Sequence, residues 1–170
     1  MKQYDIIYAD PPWRYEHPVS NSRRIENQYP TMSLDEIKAL KIPAKDNSVL
    51  FLWATAPKLE EALQVMNSWG FIYRSNLIWD KRSLGMGYWF RNQHELLLVG
   101  VRGKFSPPSN SQRISSVFKL RRNEHSRKPS IIRDLISRWY PNMEKLEMFT
   151  RETIKGWDRF GNEIQSDVIL

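Results

Sequence analysis

An acid, two prolines and a tryptophan follow an apolar run in the stretch DIIYADPPW (Asp5–Trp13). Ionised Asp10 only accepts hydrogen bonds, while Pro11 and Pro12 have fixed φ angles and present carbonyls without N–H donors of their own. Trp13 adds a flat apolar face. Together these groups describe a receptor for a planar group that carries an amine, and a nucleobase amine fits that description.

The chemistry of such an amine explains why it needs these neighbours. The exocyclic amine of adenine is a poor nucleophile because its lone pair is delocalised into the ring. Hydrogen bonds to Asp10 and to the Pro11 carbonyl would favour a more pyramidal nitrogen and disperse the positive charge that develops on attack. Trp13 would hold the base by stacking, worth ~1–3 kcal/mol. The alternative is a strand that ends in a turn, with an incidental aspartate and a packed tryptophan.

Apolar runs typical of strands recur along the chain, and several lack the alternation of a half-exposed strand. They lie at Asp5–Ala9, Ser48–Ala54, Phe71–Trp79, Glu95–Val101 and Lys145–Phe149. Strands of this kind are covered on both faces, so the pattern predicts an α/β fold with a largely parallel central sheet. Asp10 would then stand at the carboxyl end of a strand, where open α/β sheets bind their ligands.

Helical patterns alternate with these strands. A capping box formed by Ser33 and Glu36 opens the first, and an apolar stripe predicts a second from Pro57 to Trp69. A third is predicted to start at Pro129. The length of 170 residues predicts a single domain over residues 1–170.

Two stretches do not fit this pattern, Lys81–Arg91 and Gly103–Arg127, and we interpret both as ligand-facing loops. The net charge is +7, and nine Lys or Arg lie between Arg102 and Arg133 against one acid, Glu124. Such a run is either a solvated face or a surface for nucleic acid, where neutralised phosphates supply most of the non-specific affinity.

Composition excludes several classes of protein. No apolar run approaches the ~20 residues of a membrane helix, and there is no signal-peptide layout. Cysteine is absent, which excludes disulfides and thiolate metal sites, and no metal ligand set is predicted. These features fit a reducing cytosol, and we expect a cytoplasmic protein.

The chain resembles the DPPW family of N6-adenine methyltransferases, and it looks most like their short bacterial and phage branch. The resemblance covers nearly the whole chain. The motifs that carry it are Asp10-Pro11-Pro12-Trp13, YPTMS (Tyr29–Ser33), LFLWAT (Leu50–Thr55), GYWFRNQHELLLVG (Gly87–Gly100), HSRKP (His125–Pro129) and EMFTRE…GWDRFGNE (Glu147–Glu163).

The resemblance implies a permuted Rossmann-like methyltransferase fold, with the catalytic tetrapeptide first and the cofactor-binding strand late. It also implies S-adenosyl-L-methionine as methyl donor and direct methyl transfer to adenine N6, with no covalent enzyme intermediate. Most methyltransferases of this fold have a glycine-rich turn after the cofactor strand. Here the corresponding stretch is FTRETIKG, with a single late glycine, Gly156.

The resemblance also implies roles for single residues. Asp10 and Pro11 would grip the target amine, while Pro12 and Trp13 shape the pocket. The residues implied to hold the cofactor are Asp10, Lys128, Glu147, Arg151, Asn162 and Glu163. Those expected to contact the substrate are Tyr29, Trp13, Glu95, Arg121 and Arg122. Lys128 would meet the methionine carboxylate of the cofactor, and Asn162 with Glu163 would accept from its ribose hydroxyls.

Each of these roles has a plainer alternative. Lys128 could be a solvated or phosphate-binding lysine, and Glu163 a surface acid. Arg151 could be a salt-bridge partner of Glu147 or Glu152. Glu95 could be a charge at a strand end.

At the level of function, the leading hypothesis is a DNA adenine methyltransferase. The same chemistry on RNA and an inactive nucleic-acid-binding partner subunit are the alternatives. We expect nucleic acid as partner, no membrane, and leave a homo- or heterodimer open.

Overall fold

The computed structural model describes residues 2–15, 30–121, 128–161 and 165–170. The strands are β1 (Tyr4–Ala9), β2 (Ala44–Thr55), β3 (Ile72–Asp80), β4 (His94–Arg102), β5 (Val117–Lys119), β6 (Lys145–Met148) and β7 (Asp158–Phe160). The α-helices are α1 (Leu34–Ala39), α2 (Leu59–Ser68) and α3 (Ser130–Trp139), and short 3-10 turns lie at Ala56–Lys58 and Asn110–Gln112. In this part of the chain, no helix is both long and apolar enough to cross a membrane.

The strands form one seven-stranded sheet in the order β5-β3-β4-β2-β1-β6-β7. Four of the six strand pairs are parallel, and both antiparallel pairs involve β4. The strands other than β4 therefore share one direction, and their carboxyl ends meet at one edge of the sheet. β4 begins at that same edge, so its first residues join the ends of its neighbours. We call this the carboxyl edge.

Apolar side chains cover both faces of the sheet, as the lack of alternation predicts. In β2, Leu50 and Leu52 belong to one buried cluster, together with α2 residues such as Val65. Phe51 and Trp53 belong to the other cluster, which includes residues of α3. The strand is thus sandwiched between helices, and its end is held rigidly at the carboxyl edge.

The α/β fold with a largely parallel sheet is confirmed, as are the five predicted strands and the three predicted helices. The capping box is present, with the Ser33 hydroxyl accepting from the Glu36 amide and the Glu36 carboxylate accepting from the Ser33 amide. One prediction needs correction: the stretch Gly103–Arg127 is not entirely loop, because β5 lies within it and pairs with β3. Strand β7 was not predicted either.

A buried hydrogen bond joins the two central strands below the carboxyl edge. Trp53 Nε1 donates to Tyr8 Oη at 2.7 Å, and both residues are buried. We expect Tyr8→Phe to lower the free energy of unfolding by ~1–3 kcal/mol, because the indole N–H is left without its acceptor. Urea unfolding followed by circular dichroism measures this loss.

Tyr73→Phe is the matched control for that experiment. Tyr73 Oη also donates a hydrogen bond, to Asn76 Oδ1 at 2.6 Å, but the pair is exposed. We expect a change within ~0.5 kcal/mol. Equal losses in the two variants would contradict a special role for the buried bond.

Candidate active site

Asp10 lies at the carboxyl edge, directly after β1. β1 pairs in parallel with β2 on one side and with β6 on the other, and its last residue, Ala9, lies beside Leu52 and Met148. This is the position where open α/β sheets bind ligands. The Asp10 side chain keeps 32% of its surface exposed, so its carboxylate can be reached from solvent.

Four side chains of alternating charge lie in a row at this edge: Lys81, Glu95, Lys128 and Asp10. We call these four residues the charge chain. Lys128 Nζ donates to Asp10 Oδ2 at 2.8 Å and lies 3.3 Å from Glu95 Oε2. Lys81 Nζ donates to the other Glu95 oxygen, Oε1, at 3.2 Å. Asp10 follows β1, Lys81 follows β3, Glu95 lies in β4 and Lys128 lies in the segment before α3, so the charge chain joins four separate parts of the fold.

Burial and pairing act in opposite directions on these groups. Burial raises the pKa of Asp10, and the Lys128 ammonium opposes that rise without cancelling it. Burial alone would lower the pKa of Lys128, but the Asp10 and Glu95 carboxylates hold it above its usual range. For Glu95, burial works toward a higher pKa, but Lys128 and Lys81 outweigh it and leave the pKa lowered. Lys128 and Glu95 are therefore firmly charged, and Asp10 is the more easily neutralised of the two carboxylates.

Two backbone hydrogen bonds fix the conformation of the DPPW tetrapeptide, one within it and one from Met32. Trp13 N donates to the Pro11 carbonyl at 2.9 Å, and Met32 N donates to the Pro12 carbonyl at 2.9 Å. The Pro11 oxygen is thus already used once, although a carbonyl has two lone pairs and can accept again. The tetrapeptide is held in one conformation, with Asp10 at its start.

The sequence predicts that Trp13 offers an open face for stacking, but its ring is buried. It is 5% exposed, packs in the apolar cluster that contains α2, and donates from Nε1 to the Trp53 carbonyl at 3.2 Å. This matches the alternative of a packed tryptophan. In the described structure its part is to anchor the tetrapeptide to β2, and a base stacked on it would require the ring to move.

Glu147 and Arg133 form a buried ion pair next to Asp10. Arg133 Nη1 donates to both Glu147 carboxylate oxygens, at 2.9 and 2.8 Å, and both side chains are 11% exposed. Arg133 therefore does not belong to a solvated or phosphate-binding face, as the basic run had suggested. Both oxygens of Glu147 are engaged by α3, which gives this residue a structural partner, and its implied contact with a cofactor stays a prediction.

The other implied site residues have different positions. Arg151 follows β6, is exposed, and lies near enough to lower the pKa of Asp10 by its charge. Arg121 is exposed and follows β5, whose last residue Lys119 pairs with Asp80 of β3. The residues that follow β3 and β5, among them Lys81 and Arg121, therefore lie at the carboxyl edge. Tyr29, Arg122, Asn162 and Glu163 lie outside the described residues.

Two residues of the site were not singled out by sequence reasoning. Lys81 holds Glu95, and Trp53 lies with its ring centroid 5.7 Å from Lys128 Nζ, a cation–π contact. The position of Lys81 just after a predicted strand could have indicated that it lies in the site, because that strand pairs with the one that contains Glu95. The position of Trp53 near the end of β2 could have indicated the same, because β2 runs parallel to β1, the strand that leads to Asp10.

The turn after β6 has the backbone conformation that glycine usually supplies. Phe149 has φ 63°, in the left-handed region that costs a residue with a side chain ~1–3 kcal/mol. Its ring packs edge-to-face on Phe160, with centroids 6.1 Å apart. The missing glycine-rich turn is therefore replaced by a strained residue that is held in place by its ring.

Comparison with known proteins decides which family shares this arrangement. The family model described as MT-A70 matches residues 4–163. The chain belongs to the MT-A70 family. Members of this family are adenine methyltransferases, so the resemblance found in the sequence is confirmed and the chain has the fold of an enzyme of this class.

Individual relatives show how far the likeness extends. The type II methyltransferase M.MunI of Mycoplasma sp is 32% identical over 99% of this chain and 81% of its own length. The N(6)-adenosine-methyltransferase catalytic subunit METTL3 of Homo sapiens is 30% identical over 100% of this chain and 30% of its own length. An N(6)-adenosine-methyltransferase MT-A70-like protein of Arabidopsis thaliana is 29% identical over 95% of this chain. The chain spans only 24% of that plant protein.

The buried pair gives a test that separates packing from ligand binding in this MT-A70 protein. We expect Arg133→Met to lower the free energy of unfolding by ~3–5 kcal/mol, because it leaves the buried Glu147 carboxylate without its partner. Glu147→Gln should lower it by ~1–3 kcal/mol, because Arg133 loses its buried acceptors but keeps Glu152, 3.6 Å from its Nη2. The double variant Arg133→Met with Glu147→Met should recover most of that loss. Urea unfolding of the variants measures both effects.

A cofactor-binding role for Glu147 would give another pattern. Glu147→Gln would then weaken binding of S-adenosylmethionine, measured by calorimetry, while the unfolding free energy stayed within ~1 kcal/mol of the original. That result would contradict the structural role and restore the contact implied by the resemblance.

Proposed function

We propose that this chain transfers a methyl group from S-adenosyl-L-methionine to N6 of adenine in DNA. The observation that supports this most directly is the Asp10 carboxylate, which stands at the carboxyl edge, pinned by Lys128 and still open to solvent. A hydrogen-bond acceptor in this position suits an amine that must become nucleophilic. Chemistry and family therefore point to the same reaction.

Asp10 and Pro11 would act together on the amine. The free lone pairs of the Asp10 carboxylate accept one N–H, and the second lone pair of the Pro11 carbonyl accepts the other. Both interactions strengthen as positive charge develops on the nitrogen, so they stabilise the transition state more than the ground state. Pro12 and Trp13 keep the two acceptors in place through their contacts with Met32 and Trp53.

The residues at the carboxyl edge suit the methyl donor as well. Lys128 has three ammonium protons and contacts two carboxylates, which leaves one donor for the methionine carboxylate of the cofactor. Asp10 and Glu95 place negative charge where the sulfonium and amino groups need it. When bound, the cofactor supplies an electrophilic methyl group on sulfur. Arg151, Asn162 and Glu163 remain proposed contacts to it.

The choice of DNA as substrate rests on how much of each relative's length this chain covers. The chain spans 81% of the type II methyltransferase and 30% of human METTL3, so we take the type II enzyme as the better guide. We propose one domain over residues 1–170, with substrate loops at about 81–91 and 103–127 whose cations contact phosphates. A cytoplasmic enzyme is part of this proposal, and a homo- or heterodimer is compatible with it.

RNA is the second candidate substrate, because the eukaryotic relatives are named for adenosine methylation. Matched DNA and RNA oligonucleotides with labelled methyl donor, assayed in parallel, distinguish the two. An inactive partner subunit is the third candidate. Calorimetry with S-adenosylmethionine tests it, since a chain that binds no donor would fit only that function.

Replacing the carboxylate of Asp10 tests the mechanism. We expect Asp10→Asn to lower kcat for adenine methylation by about 10²–10³-fold, because one charged acceptor is lost from the transition state. Asp35→Asn removes an exposed carboxylate in α1 and serves as the matched control, with activity unchanged. Undiminished activity of Asp10→Asn would refute the assigned role.

The raised pKa of Asp10 predicts how activity depends on pH. As pH falls through that pKa, the carboxylate takes up a proton and the acceptor is lost, so the acid limb of kcat/KM, which reports the free enzyme, should lie above the ordinary aspartate pKa of 3.8. Lys128→Met removes the ammonium that opposes the rise and should move the limb to still higher pH. Glu95 and Arg151 face the same group and are unchanged in the variant. The profile is measured as kcat/KM for the methyl donor.

A limb that stays in place or moves to lower pH in Lys128→Met would contradict this assignment. Lys128→Arg, which keeps the positive charge, should leave the limb near its original position and so separates charge from side-chain shape.

A further inference from the structure

Three consecutive aromatic residues project into solvent between β3 and β4. Tyr88 and Trp89 are each 94% exposed and Phe90 is 84% exposed, and we call these three residues the aromatic tip. Other tryptophans of this chain are buried: Trp53 and Trp79, for example, are 0% and 2% exposed. An apolar surface of this size, left open at three successive positions, indicates a binding surface.

The backbone that holds the aromatic tip is closed by its own hydrogen bonds. Gly85 N donates to the Asn92 carbonyl at 2.9 Å, and Asn92 N donates to the Met86 carbonyl at 3.1 Å. Two glycines make this closure possible. A Cβ on Gly87 would lie 1.9 Å from the Phe90 carbonyl oxygen, and a Cβ on Gly85 2.6 Å from that of Asn92. The rings are thus presented by an ordered turn, which lowers the entropy lost on binding.

The base of this turn is tied to the candidate active site. Lys81 N donates to the Gln93 carbonyl at 2.9 Å, which closes the turn where it leaves the sheet. The Lys81 side chain then begins the charge chain that ends at Asp10. The aromatic tip is therefore carried by the same edge of the sheet that holds the proposed catalytic carboxylate.

The charges around the tip identify its occupant. Arg82 and Arg91 lie on the turn, and Lys119 and Arg121 lie at the end of the neighbouring β5. The nearby acid, Asp80, already accepts from Gln93 Nε2 and from Arg82 N. Exposed rings beside four cations and one described acid match a nucleic acid strand, which offers flat bases and phosphates at each step. A second copy of the chain would place these cations against one another across a two-fold interface.

We propose that the aromatic tip stacks on an unpaired nucleobase adjacent to the target adenine. The proposal rests on the function proposed above and adds to it that the enzyme recognises a strand whose bases are exposed. A single strand provides such a neighbour directly, whereas flipping the target base from a duplex unpairs only the opposite base. The tip then supplies the stacking surface that buried Trp13 does not offer.

The test compares DNA binding by Trp89→Ala and by Tyr88→Ala/Trp89→Ala with that of the unchanged chain. Fluorescence anisotropy with a labelled single-stranded DNA of mixed sequence, with S-adenosylmethionine present, gives each dissociation constant. We expect Trp89→Ala to weaken binding by about 5- to 150-fold, the range for one stacked base. Tyr73→Ala, at the opposite end of β3, is the control and should bind as the unchanged chain does.

Salt dependence separates stacking from charge. Trp89→Ala should leave the slope of log affinity against log salt unchanged, because the indole neutralises no phosphate. Arg121→Ala should lower that slope by about one. Circular dichroism confirms that each variant is folded, which is expected for side chains so exposed.

Different failures overturn different statements. If the unchanged chain methylates and binds DNA but Trp89→Ala does so equally well, the stacking proposal is wrong and the proposed function stands. If Trp89→Ala keeps its DNA affinity but changes a dimer into a monomer by analytical ultracentrifugation, the tip is a self-association surface. If the unchanged chain binds neither DNA nor RNA, the proposed function fails, and the stacking proposal fails with it.

Discussion

The ion pair between Asp10 and Lys128 is the interaction on which the site depends. A carboxylate at the end of a central strand is costly to bury unless a charge of opposite sign lies beside it. Lys128 fills that place from the segment before α3, and Glu95 in turn helps to hold Lys128 charged. This requires β1, β4 and α3 to keep their relative positions, and the buried Arg133–Glu147 pair connects α3 to β6, the strand next to β1.

The reversed direction of β4 has a second effect on the site. Because β4 begins at the carboxyl edge, its second residue, Glu95, reaches the ends of the parallel strands, and the turn from β3 starts there too. An all-parallel arrangement would have placed the start of that strand at the far edge of the sheet. The antiparallel strand therefore brings both the second carboxylate and the aromatic tip to the side where Asp10 lies.

Much of the fold could be predicted because its signals are local. Long apolar runs gave the main strands, and a capping box and proline positions gave the helices. β5 and β7 are three residues long, too short to show any periodicity, and become strands only by pairing with β3 and β6. In the site, the position of Asp10 followed from the strand before it. The burial of Arg133 depends on Glu147, which is distant in sequence, so a run of cations looked uniformly exposed.

The partners in the site are far apart along the chain, and this constrains how the molecule assembles. Asp10 and Lys128 are separated by 118 positions, and β1 must also pair with β6, which lies later still. Loop-closure entropy of this size opposes early formation of the sheet centre. During synthesis on the ribosome, the aspartate would emerge long before its lysine. An incomplete chain would therefore lack the Asp10–Lys128 pair, and the site would form only after Lys128 and β6 had been synthesised.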